Sequence, residues 1–431
     1  MRRASVHTLG CRLNQAESAQ LADGLRRRGY DLVPEDEGAD LYVVNTCSVT
    51  RGSEAKCRRL IRFLKRRSPE ARVVVTGCYA ELEAERIREI DGVDLVVGTA
   101  NKHRVPDLVE DLPAGGEGTV LRGPIGREVF TIAETGRFRE TRANLKIQDG
   151  CDVFCTFCVI PFTRGRARSR ALGDSLREAR ELAGRGHREI VLSGVNIGTY
   201  EEGGVDFTGL VERIEGVPGI DRVRISSIEP MTVGDRLVDR MAESETLCPY
   251  VHLCLQSGDD RILEAMGRPY TAAGYALLFE RFTEKVPNIG IGTDVLVGFP
   301  GEDDASFRRT YDLLESLPFY HFHVFVYSEH PRTRSARIPD KVRPDLAKER
   351  SEAARRLGAE KKRIFHERHV GRTVEVLFEA RDRGGRWTGH APNYLKVSVR
   401  ADEDLENRIG LVEIERAEAE EARGRLSEVV S

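Results

Sequence analysis

Short apolar runs alternate with amphipathic segments along about the first 110 residues of the chain. Runs such as "DLYVVNT" and "RVVVTG" have the length of buried strands, and the segments between them carry apolar residues at helical spacing. Strands that alternate with helices predict a doubly wound parallel sheet. The stretch that follows, with "PAGGEG" inside it, is rich in turn-forming residues and predicts a linker.

A second alternating block begins at "ANLKIQDG" and contains about six strand–helix units, which fit a full or partial β/α barrel with its site on the loops after the strands. Charged helical sequence follows. The last residues alternate with period two and contain turns, as in "TVEVLFEARDRGGRWTGH", and predict a small antiparallel β domain. We therefore expect an α/β protein with domains at 1–112, 137–368 and 369–431, and a linker at 113–136.

Composition narrows the class of protein. A chain of 431 residues, 40% apolar and 32% charged, is too long for one ordinary core. No stretch has the length of a membrane span or the form of a signal peptide, so we expect a cytoplasmic protein that does not enter a membrane. The net charge is -3, so any nucleic-acid binding must come from local basic patches.

Three of the nine cysteines, Cys151, Cys155 and Cys158, follow a predicted strand with the spacing C-x3-C-x2-C. A structural zinc site normally takes four protein ligands in two pairs, and no second pair follows. Three thiolates suit an iron–sulfur cluster in which one iron is left open to chelate a small molecule. The alternative is three buried core cysteines.

Cys11, Cys47 and Cys78 each lie where a predicted strand of the first domain ends. The carboxyl ends of parallel strands share one edge of a sheet, so three ligands far apart in sequence would converge there. Each cysteine could instead be a packing residue. Cys57, Cys248 and Cys254 match no motif, and we interpret them as structural.

Two groups of residues could hold a nucleic acid. In an extended conformation, Arg164, Arg166, Arg168 and Arg170 would point to one side and clamp phosphates or a cofactor carboxylate; ion pairs within the protein are the alternative. The C-terminal domain offers stacking surfaces and charge that suit a single-stranded loop, or else it simply docks on the barrel. Its candidate RNA contacts are Trp387, Tyr394 and Lys396.

The cysteine motif after a first barrel strand resembles the radical S-adenosylmethionine superfamily. Together, the two cysteine sets resemble its methylthiotransferase family, whose C-terminal domain is the RNA-binding TRAM module. The resemblance implies two [4Fe-4S] clusters: Cys151, Cys155 and Cys158 would hold the one that binds S-adenosylmethionine, and Cys11, Cys47 and Cys78 an auxiliary cluster for the inserted sulfur. It also implies an electron donor such as flavodoxin or ferredoxin, and a monomer.

The loops after the barrel strands carry polar residues that could contact S-adenosylmethionine, although each could instead cap a helix or form a turn. Asp294 lies in an otherwise apolar strand, where a buried carboxylate must be paired. The candidate contacts are Ser193, Gly194, Asn196, Ser227, Glu229, Gln256 and Asp294.

The residues around the motifs resemble those of one branch of the family, which modifies an N6-threonylcarbamoyladenosine directly 3′ of the tRNA anticodon. "TLGCRLNQAE" carries Arg12-Leu13-Asn14, where the isopentenyladenosine branch usually has Gln-Met-Asn and the branch acting on a ribosomal-protein aspartate has Pro-Lys-Asn. The resemblance implies transfer of a methylthio group to C2 of that adenine, with the anticodon loop as partner. The sister branches, a zinc-bearing RNA-binding module and a radical enzyme that only methylates remain as alternatives.

Overall fold

The computed structural model describes residues 2–48, 51–112, 118–133, 135, 136 and 140–430. Its α-helices are α1 (Arg12–Arg27), α2 (Arg51–Arg67), α3 (Cys78–Leu82), α4 (Ala84–Arg88), α5 (Val105–Leu108), α6 (Ile160–Arg164), α7 (Leu172–Gly184), α8 (Phe207–Glu215), α9 (Asp235–Glu243), α10 (Asp260–Met266), α11 (Ala272–Lys285), α12 (Asp304–Ser316) and α13 (Pro344–Glu367).

Its strands are β1 (Arg2–Thr8), β2 (Tyr30–Leu32), β3 (Leu41–Thr46), β4 (Arg72–Gly77), β5 (Leu95–Val97), β6 (Thr119–Leu121), β7 (Arg142–Lys146), β8 (Gln148–Asp149), β9 (Arg168–Ser169), β10 (Glu189–Ser193), β11 (Glu201–Glu202), β12 (Val205–Asp206), β13 (Arg222–Ile225), β14 (Ser227–Ile228), β15 (Tyr250–Leu253), β16 (Gly290–Val297), β17 (His321–Val326), β18 (Thr373–Arg381), β19 (Trp387–His390), β20 (Lys396–Val399), β21 (Ile409–Ala417) and β22 (Ala422–Val429).

The first sheet is parallel throughout, in the order β2-β1-β3-β4-β5-β6. Separate apolar cores cover its two faces: Val44 and Val75 pack with α2 on one face, and Val43 and Val74 pack with α1 on the other. Burial on both faces explains why these strands form continuous apolar runs. The doubly wound sheet that the sequence predicts is therefore confirmed.

The sequence missed both edge strands of this sheet. Strand β6 lies within 113–136, which the sequence predicts to be a linker, and it pairs in parallel with β5. The sheet thus extends beyond residue 112, because a three-residue edge strand carries too few apolar positions to stand out. Residues 113–117, 134 and 137–139, which belong to the predicted linker and the start of the barrel, lie outside the described residues.

The central domain is an open barrel of six parallel strands, the third of which is divided into β13 and β14. One sheet runs β7-β10-β13 and a second runs β14-β15-β16-β17, and only Ser226 separates β13 from β14. Alternate residues of β7, such as Leu145, belong to the core between strands and helices, whereas Lys146 faces the other side. The predicted partial barrel is confirmed, and its loops after the strands gather at one end.

A buried ion network joins the first domain to the barrel along α1 and β7. Glu17 of α1 accepts hydrogen bonds from Lys146 at 2.7 Å, Arg164 at 2.8 Å and Lys102 at 2.5 Å. Asp149 also pairs with Lys146 at 2.7 Å and with Arg164 at 3.1 Å. All five side chains are at most 9% exposed, so this network holds the two domains in one arrangement.

The C-terminal domain is a closed barrel in the order β18-β19-β20-β22-β21, antiparallel except for the β20–β22 pair. It docks on the amino-terminal end of the central barrel. Arg222, the first residue of β13, donates to His390 O at 2.9 Å. The ring of Tyr394 stacks on Tyr250, the first residue of β15, with 4.5 Å between centroids. The C-terminal domain therefore closes the end of the barrel opposite the loops that follow its strands.

We expect Arg164→Met to loosen the contact between the first two domains. The change leaves the buried Glu17 and Asp149 carboxylates short of a partner, which typically costs about 3–5 kcal/mol. Arg166→Met is the matched control, because its pair with Asp152 is about half exposed and should contribute less than about 1 kcal/mol. Native-state hydrogen exchange of the α1 and β7 amides measures the difference. Equal protection in both variants would contradict the role of Arg164.

The same network should be sensitive to acid. Burial alone would raise the pKa of Glu17, but Arg164, Lys102 and Lys146 hold this pKa well below its usual value. The stabilisation is therefore complete above a pH of about 4.5 and is lost as the pH falls further. In the same exchange experiment, we expect the difference between wild type and Glu17→Gln to be largest at neutral pH and to shrink in acid. A difference that does not change with pH would refute this linkage.

Candidate functional site

Three cysteines stand at the carboxyl ends of neighbouring strands in the first sheet: Cys11 after β1, Cys47 after β3 and Cys78 after β4. Two glycines at positive φ allow the backbones there to approach closely. A Cβ on Gly10 (φ +117°) would lie 2.9 Å from the Cβ of Cys47, and one on Gly77 (φ +101°) would lie 2.5 Å from Thr46 N. The three cysteines therefore converge on one edge, and the donor set fits a cluster held by thiolates.

The second cysteine set occupies the loop that follows β7 and β8 at the same end of the barrel as the other strand-end loops. Burial, and then repulsion from the Cys155 and Cys151 thiols, raises the pKa of Cys158 to about 12. The backbone N–H of Val153 points at Cys151 Sγ from 3.5 Å, and Arg268 Nη1 lies 3.2 Å from Cys155 Sγ. Three half-buried thiols on one loop, two of them with an N–H donor aimed at the sulfur, also fit an iron–sulfur cluster.

The remaining cysteines fit the structural interpretation. Cys57 and Cys248 are buried, and the thiol of Cys57 bonds to the carbonyl oxygen of Cys47 at 3.6 Å. Burial raises the pKa of Cys57 to about 12, so the thiol stays protonated and acts as a small core residue. Cys254 lies beside the Asp294 carboxylate at 3.6 Å.

The loop after β10 contains a buried amide, that of Asn196, close to the second cysteine set. Gln148 Oε1 accepts the backbone N–H groups of Val195 and Asn196 at 2.9 and 2.8 Å, which fixes the loop beside the cysteine motif. The Asn196 side chain is 1% exposed, and neither its amide nitrogen nor its oxygen has a partner among the described residues. A buried unpaired amide suits a polar ligand. Neighbouring Ser193 instead donates to Asn144 at 3.3 Å.

An ion pair lies directly beside the second cysteine set. Arg268, which contacts Cys155, also donates to Glu229 Oε1 at 3.2 Å, and its Nε donates to the Tyr270 hydroxyl at 2.9 Å. The position of Glu229 after a barrel strand predicts it as a contact, and Ser227, two residues before it, is exposed. The pair presents one carboxylate and one guanidinium next to a thiol, an arrangement complementary to the amino and carboxylate groups of an amino acid.

Asp294 is held by two histidines inside the barrel. His252 Nε2 lies 2.9 Å and His323 Nδ1 lies 3.3 Å from Asp294 Oδ1. Burial alone would raise the pKa of Asp294, but hydrogen bonds from these two imidazoles hold it well below the usual range. Nitrogens of His252, His321 and His323 lie within 4.8 Å of one another and could hold a metal ion. The hydrogen bonds to Asp294 already account for two of them.

No pattern in the sequence predicts the roles of several of these residues. Gln148 ends the predicted strand just before the cysteine motif, and its role in holding the 194–196 loop follows only from the fold. Arg268 comes after a helix at no regular spacing from any motif. The histidines lie on β15 and β17, and alternation along the strand shows only that they share a face. Gln256 is placed by its backbone N–H, which donates to Asp294 O at 2.8 Å.

The prediction that four arginines form one RNA-facing row is wrong for two of them. Arg164 ends the short helix α6, and Gly165 at φ +76° then turns the chain, so no continuous extended segment exists. Arg164 is 1% exposed within the interdomain network, and Arg170 is 0% exposed and pairs with Asp174 and Glu178. Neither side chain can contact a tRNA in this structure.

The other two arginines are more accessible. Arg166 is 47% exposed, pairs with Asp152 at 3.0 Å and lies over the Phe154 ring, 4.4 Å from its centroid. Arg168 is 14% exposed and pairs with Asp149 at 3.2 Å. Only Arg166 is therefore open enough to contact a large ligand directly.

One of the three predicted RNA contacts in the C-terminal domain, Trp387, is also wrong, and a second, Tyr394, is half-buried in domain packing. Trp387 is 7% exposed and its Nε1–H donates to Glu403 O at 2.9 Å, so it belongs to the domain core. Tyr394 is covered by the central barrel and accepts a hydrogen bond from Arg12 at 2.5 Å. Both aromatic rings bury apolar area against other parts of the protein, and this burial stabilises the packing of the C-terminal domain. Lys396 stays 40% exposed.

None of the helices that the structure describes could span a bilayer, because none is both long and apolar enough.

Residues 3–98 match the family described as "Uncharacterized protein family UPF0004", and residues 145–314 match the "Radical SAM superfamily". The two matched regions contain the first and the second cysteine set, respectively.

Several proteins are similar in sequence to this chain over nearly its whole length. A Bacillus subtilis protein named threonylcarbamoyladenosine tRNA methylthiotransferase MtaB is 33% identical over 97% of this chain and 94% of its own length. An Aquifex aeolicus protein of the same name is 37% identical over 87% of this chain and 92% of its own. A Jannaschia protein named tRNA-2-methylthio-N(6)-dimethylallyladenosine synthase is 35% identical over 98% of this chain and 93% of its own.

A solved structure supports the fold. The radical S-adenosylmethionine methyltransferase TsrM from Kitasatospora setae matches with a TM-score of 0.58 and 15% identity, over 78% of this chain and 77% of that one. Its likeness agrees with a parallel sheet followed by a partial barrel. Taken with the two family matches and the full-length relatives, the chain belongs to the methylthiotransferase family of radical S-adenosylmethionine enzymes, as its two cysteine sets predict.

Proposed function

We propose that the protein transfers a methylthio group to C2 of N6-threonylcarbamoyladenosine, at the position directly 3′ of the anticodon of a tRNA. The observation that carries this proposal is the pair of three-cysteine sets, one at the carboxyl edge of the first sheet and one in the loop after the first barrel strand. A family member that only methylated would have no need for the second set.

Each cysteine set holds one [4Fe-4S] cluster in this proposal. Cys151, Cys155 and Cys158 bind the cluster that takes S-adenosylmethionine, and Cys11, Cys47 and Cys78 bind the auxiliary cluster. When bound, these groups supply the one-electron chemistry that breaks an unactivated C–H bond, and the sulfur that replaces the hydrogen. Acid–base groups alone could not remove that hydrogen at neutral pH.

The chain's own residues bind and orient the cofactor. The Glu229–Arg268 pair lies beside Cys155 and offers opposite charges to the amino and carboxylate groups of S-adenosylmethionine. The unpaired amide of Asn196 offers a donor and an acceptor to its polar atoms. Gly194, Ser227 and Gln256 line the neighbouring loops as further contacts.

Ser193 and Asp294 support the site from within the barrel in this proposal. Both are bonded to other side chains of the protein, Ser193 to Asn144 and Asp294 to two histidines. Side chains that are satisfied internally hold the loops in place rather than bind the ligand directly.

The choice of the substrate branch is based on the residues around the first cysteine, Cys11. "TLGCRLNQAE" resembles the threonylcarbamoyl branch, and the Bacillus and Aquifex relatives carry that activity in their names. The Jannaschia relative is named for the dimethylallyl substrate, so the isopentenyladenosine branch is the second candidate. The proposal also includes a reductant protein such as flavodoxin or ferredoxin, action as a monomer, and a cytoplasmic site of action.

Removing one cysteine set at a time should separate the two roles. Reconstituted wild type should hold about eight irons, four for each cluster. We expect the Cys151/Cys155/Cys158→Ala variant to keep about four irons and to form no deoxyadenosine, because no cluster reduces S-adenosylmethionine. The Cys11/Cys47/Cys78→Ala variant should keep about four irons and deoxyadenosine formation, but make no methylthio product.

Iron and sulfide analysis, with chromatography of the nucleosides, measures these outcomes. Cys57→Ala is a suitable control because this cysteine is also buried near Cys47 but bonds to backbone. It should keep about eight irons and full product. Persistent deoxyadenosine in the first variant, or normal product in the second, would overturn the assignment of the clusters.

The substrate can be identified by mass spectrometry of tRNA nucleosides from a strain that lacks the gene. We expect the methylthio mark to disappear from N6-threonylcarbamoyladenosine and to return when the gene is restored. Loss from isopentenyladenosine alone would place the protein in the sister branch. An unchanged set of tRNA nucleosides would refute a tRNA substrate.

A further inference from the structure

Helix α2 concentrates positive charge on a chain whose net charge is -3. Only one of its 17 residues, Glu54, is acidic, and Glu54 bonds to Ser48 at 2.8 Å. Eight of its residues are basic: Arg51, Lys56, Arg58, Arg59, Arg62, Lys65, Arg66 and Arg67. Such a segregation of charge on one element favours a polyanionic partner.

The helix directs its cations outward in a regular row. Its buried side is apolar and packs against the first sheet through residues such as Cys57, Ile61 and Leu64. On the opposite side Lys56, Arg59, Arg62 and Arg66 recur at spacings of three or four residues and are all exposed. We name Lys56, Arg58, Arg59, Arg62 and Arg66 the basic face.

The basic face lacks the ion pairs that neutralise other exposed arginines. Among the described residues, no carboxylate lies within 4.0 Å of a basic-face nitrogen, whereas the exposed Arg236 pairs with both Asp206 and Glu212. Arg58 bonds instead to the hydroxyl of Tyr79 at 2.8 Å. The charge of this surface is therefore available to a ligand.

Three adjoining grooves, all lined by Arg58, extend from the basic face to the next domain. The first, of about 390 Å³, is lined by Lys56, Arg59 and Arg62. The second, of about 540 Å³, reaches Arg86 of α4 and is also lined by Glu89 and Asp91. The third, of about 380 Å³, continues to Arg332 in the loop after the last barrel strand, where Glu83 lies 3.6 Å from Arg332. The surface thus crosses from the first domain to the barrel.

We propose that the basic face binds the phosphate backbone of the RNA substrate, at the stem and loop of the anticodon arm. The inference rests on the proposed function, because it needs an RNA substrate. Guanidinium groups match phosphate oxygens with two hydrogen bonds each, and release of counterions makes each contact favourable. Phe63 is 48% exposed, directly after Arg62 and one turn after Arg59, and offers a ring on which an unpaired base can stack.

Position favours RNA over an acidic protein as the occupant. Helix α2 begins four residues after Cys47, so an RNA held there keeps its loop close to the auxiliary cysteine set that must act on it. An electron donor would need to approach Cys151, Cys155 and Cys158 instead. The C-terminal domain packs on the amino ends of β13 and β15, and none of its residues lines the grooves beside the basic face.

The test compares two triple variants that lose the same charge. The basic-face variant is Lys56→Gln/Arg59→Gln/Arg62→Gln. The control variant is Arg180→Gln/Lys348→Gln/Arg356→Gln, on exposed positions of α7 and α13. Fluorescence anisotropy with a labelled anticodon stem-loop measures Kd over a range of KCl concentrations. Circular dichroism and iron content verify that both variants fold and carry their clusters.

We expect the basic-face variant to bind at least tenfold more weakly, and its salt slope, d log K/d log[KCl], to be smaller by about 2, or about 0.7 for each lost phosphate contact. The control variant should match wild type. Equal Kd and slope in the two variants would overturn the inference while leaving the proposed function intact. Absence of RNA binding by the wild type itself would instead refute the proposed function.

A second measurement separates RNA from an acidic protein partner. Deoxyadenosine formation is driven either by dithionite or by reduced flavodoxin. If the basic-face variant binds RNA normally but loses only the flavodoxin-driven rate, the surface is a docking site for the reductant and the proposal is overturned. Equal flavodoxin-driven rates in both triple variants, with weaker RNA binding in one, support it.

Discussion

The guanidinium of Arg164 is buried between two carboxylates from different domains, Glu17 of the first sheet's helix and Asp149 of the barrel. Taking such charges out of water costs several kcal/mol for each ion, so the network is stable only when every partner is in place. It therefore allows one arrangement of the two domains. Asp149 lies two residues before Cys151, so this arrangement also sets where the second cysteine loop stands relative to the first sheet.

Both cysteine sets depend on backbone that approaches unusually closely. Gly10 and Gly77 lie at positive φ where a side chain would collide with the adjacent strand end, and Gly150 at φ +71° precedes the second set. Around these loops the barrel buries polar groups with protein partners, such as Asp294, and also the amide of Asn196, which has no partner among the described residues. Native proteins rarely bury an amide unpaired, so this amide is a candidate contact for a polar ligand.

The position of the C-terminal barrel decides from which end a large substrate can approach the central barrel. Its docking loop covers the amino ends of β13, β15 and β16, and a side chain on Gly290 would collide with Asn393 O. Of the two aromatic rings predicted to stack on bases, Tyr394 is used for this docking and Trp387 for the core of the C-terminal domain itself. A large substrate therefore has to approach from the other end, where the strand-end loops, the cysteines and the first turns of α2 lie. Domain packing, rather than the composition of any one domain, decides which surface is open.

The sequence by itself determined the features that are local: the alternating elements, the C-x3-C-x2-C spacing, and the cysteines at the ends of β1, β3 and β4. Burial of a strand on both faces requires a continuous apolar run, and parallel strands must end at one edge, so both can be read from neighbouring residues. Tertiary structure alone decided which polar residues meet. Arg164 pairs with Glu17, 147 residues away, and Asp294 meets His252 from another strand. Such partners share no spacing, because charge and hydrogen bonding act through space rather than along the chain.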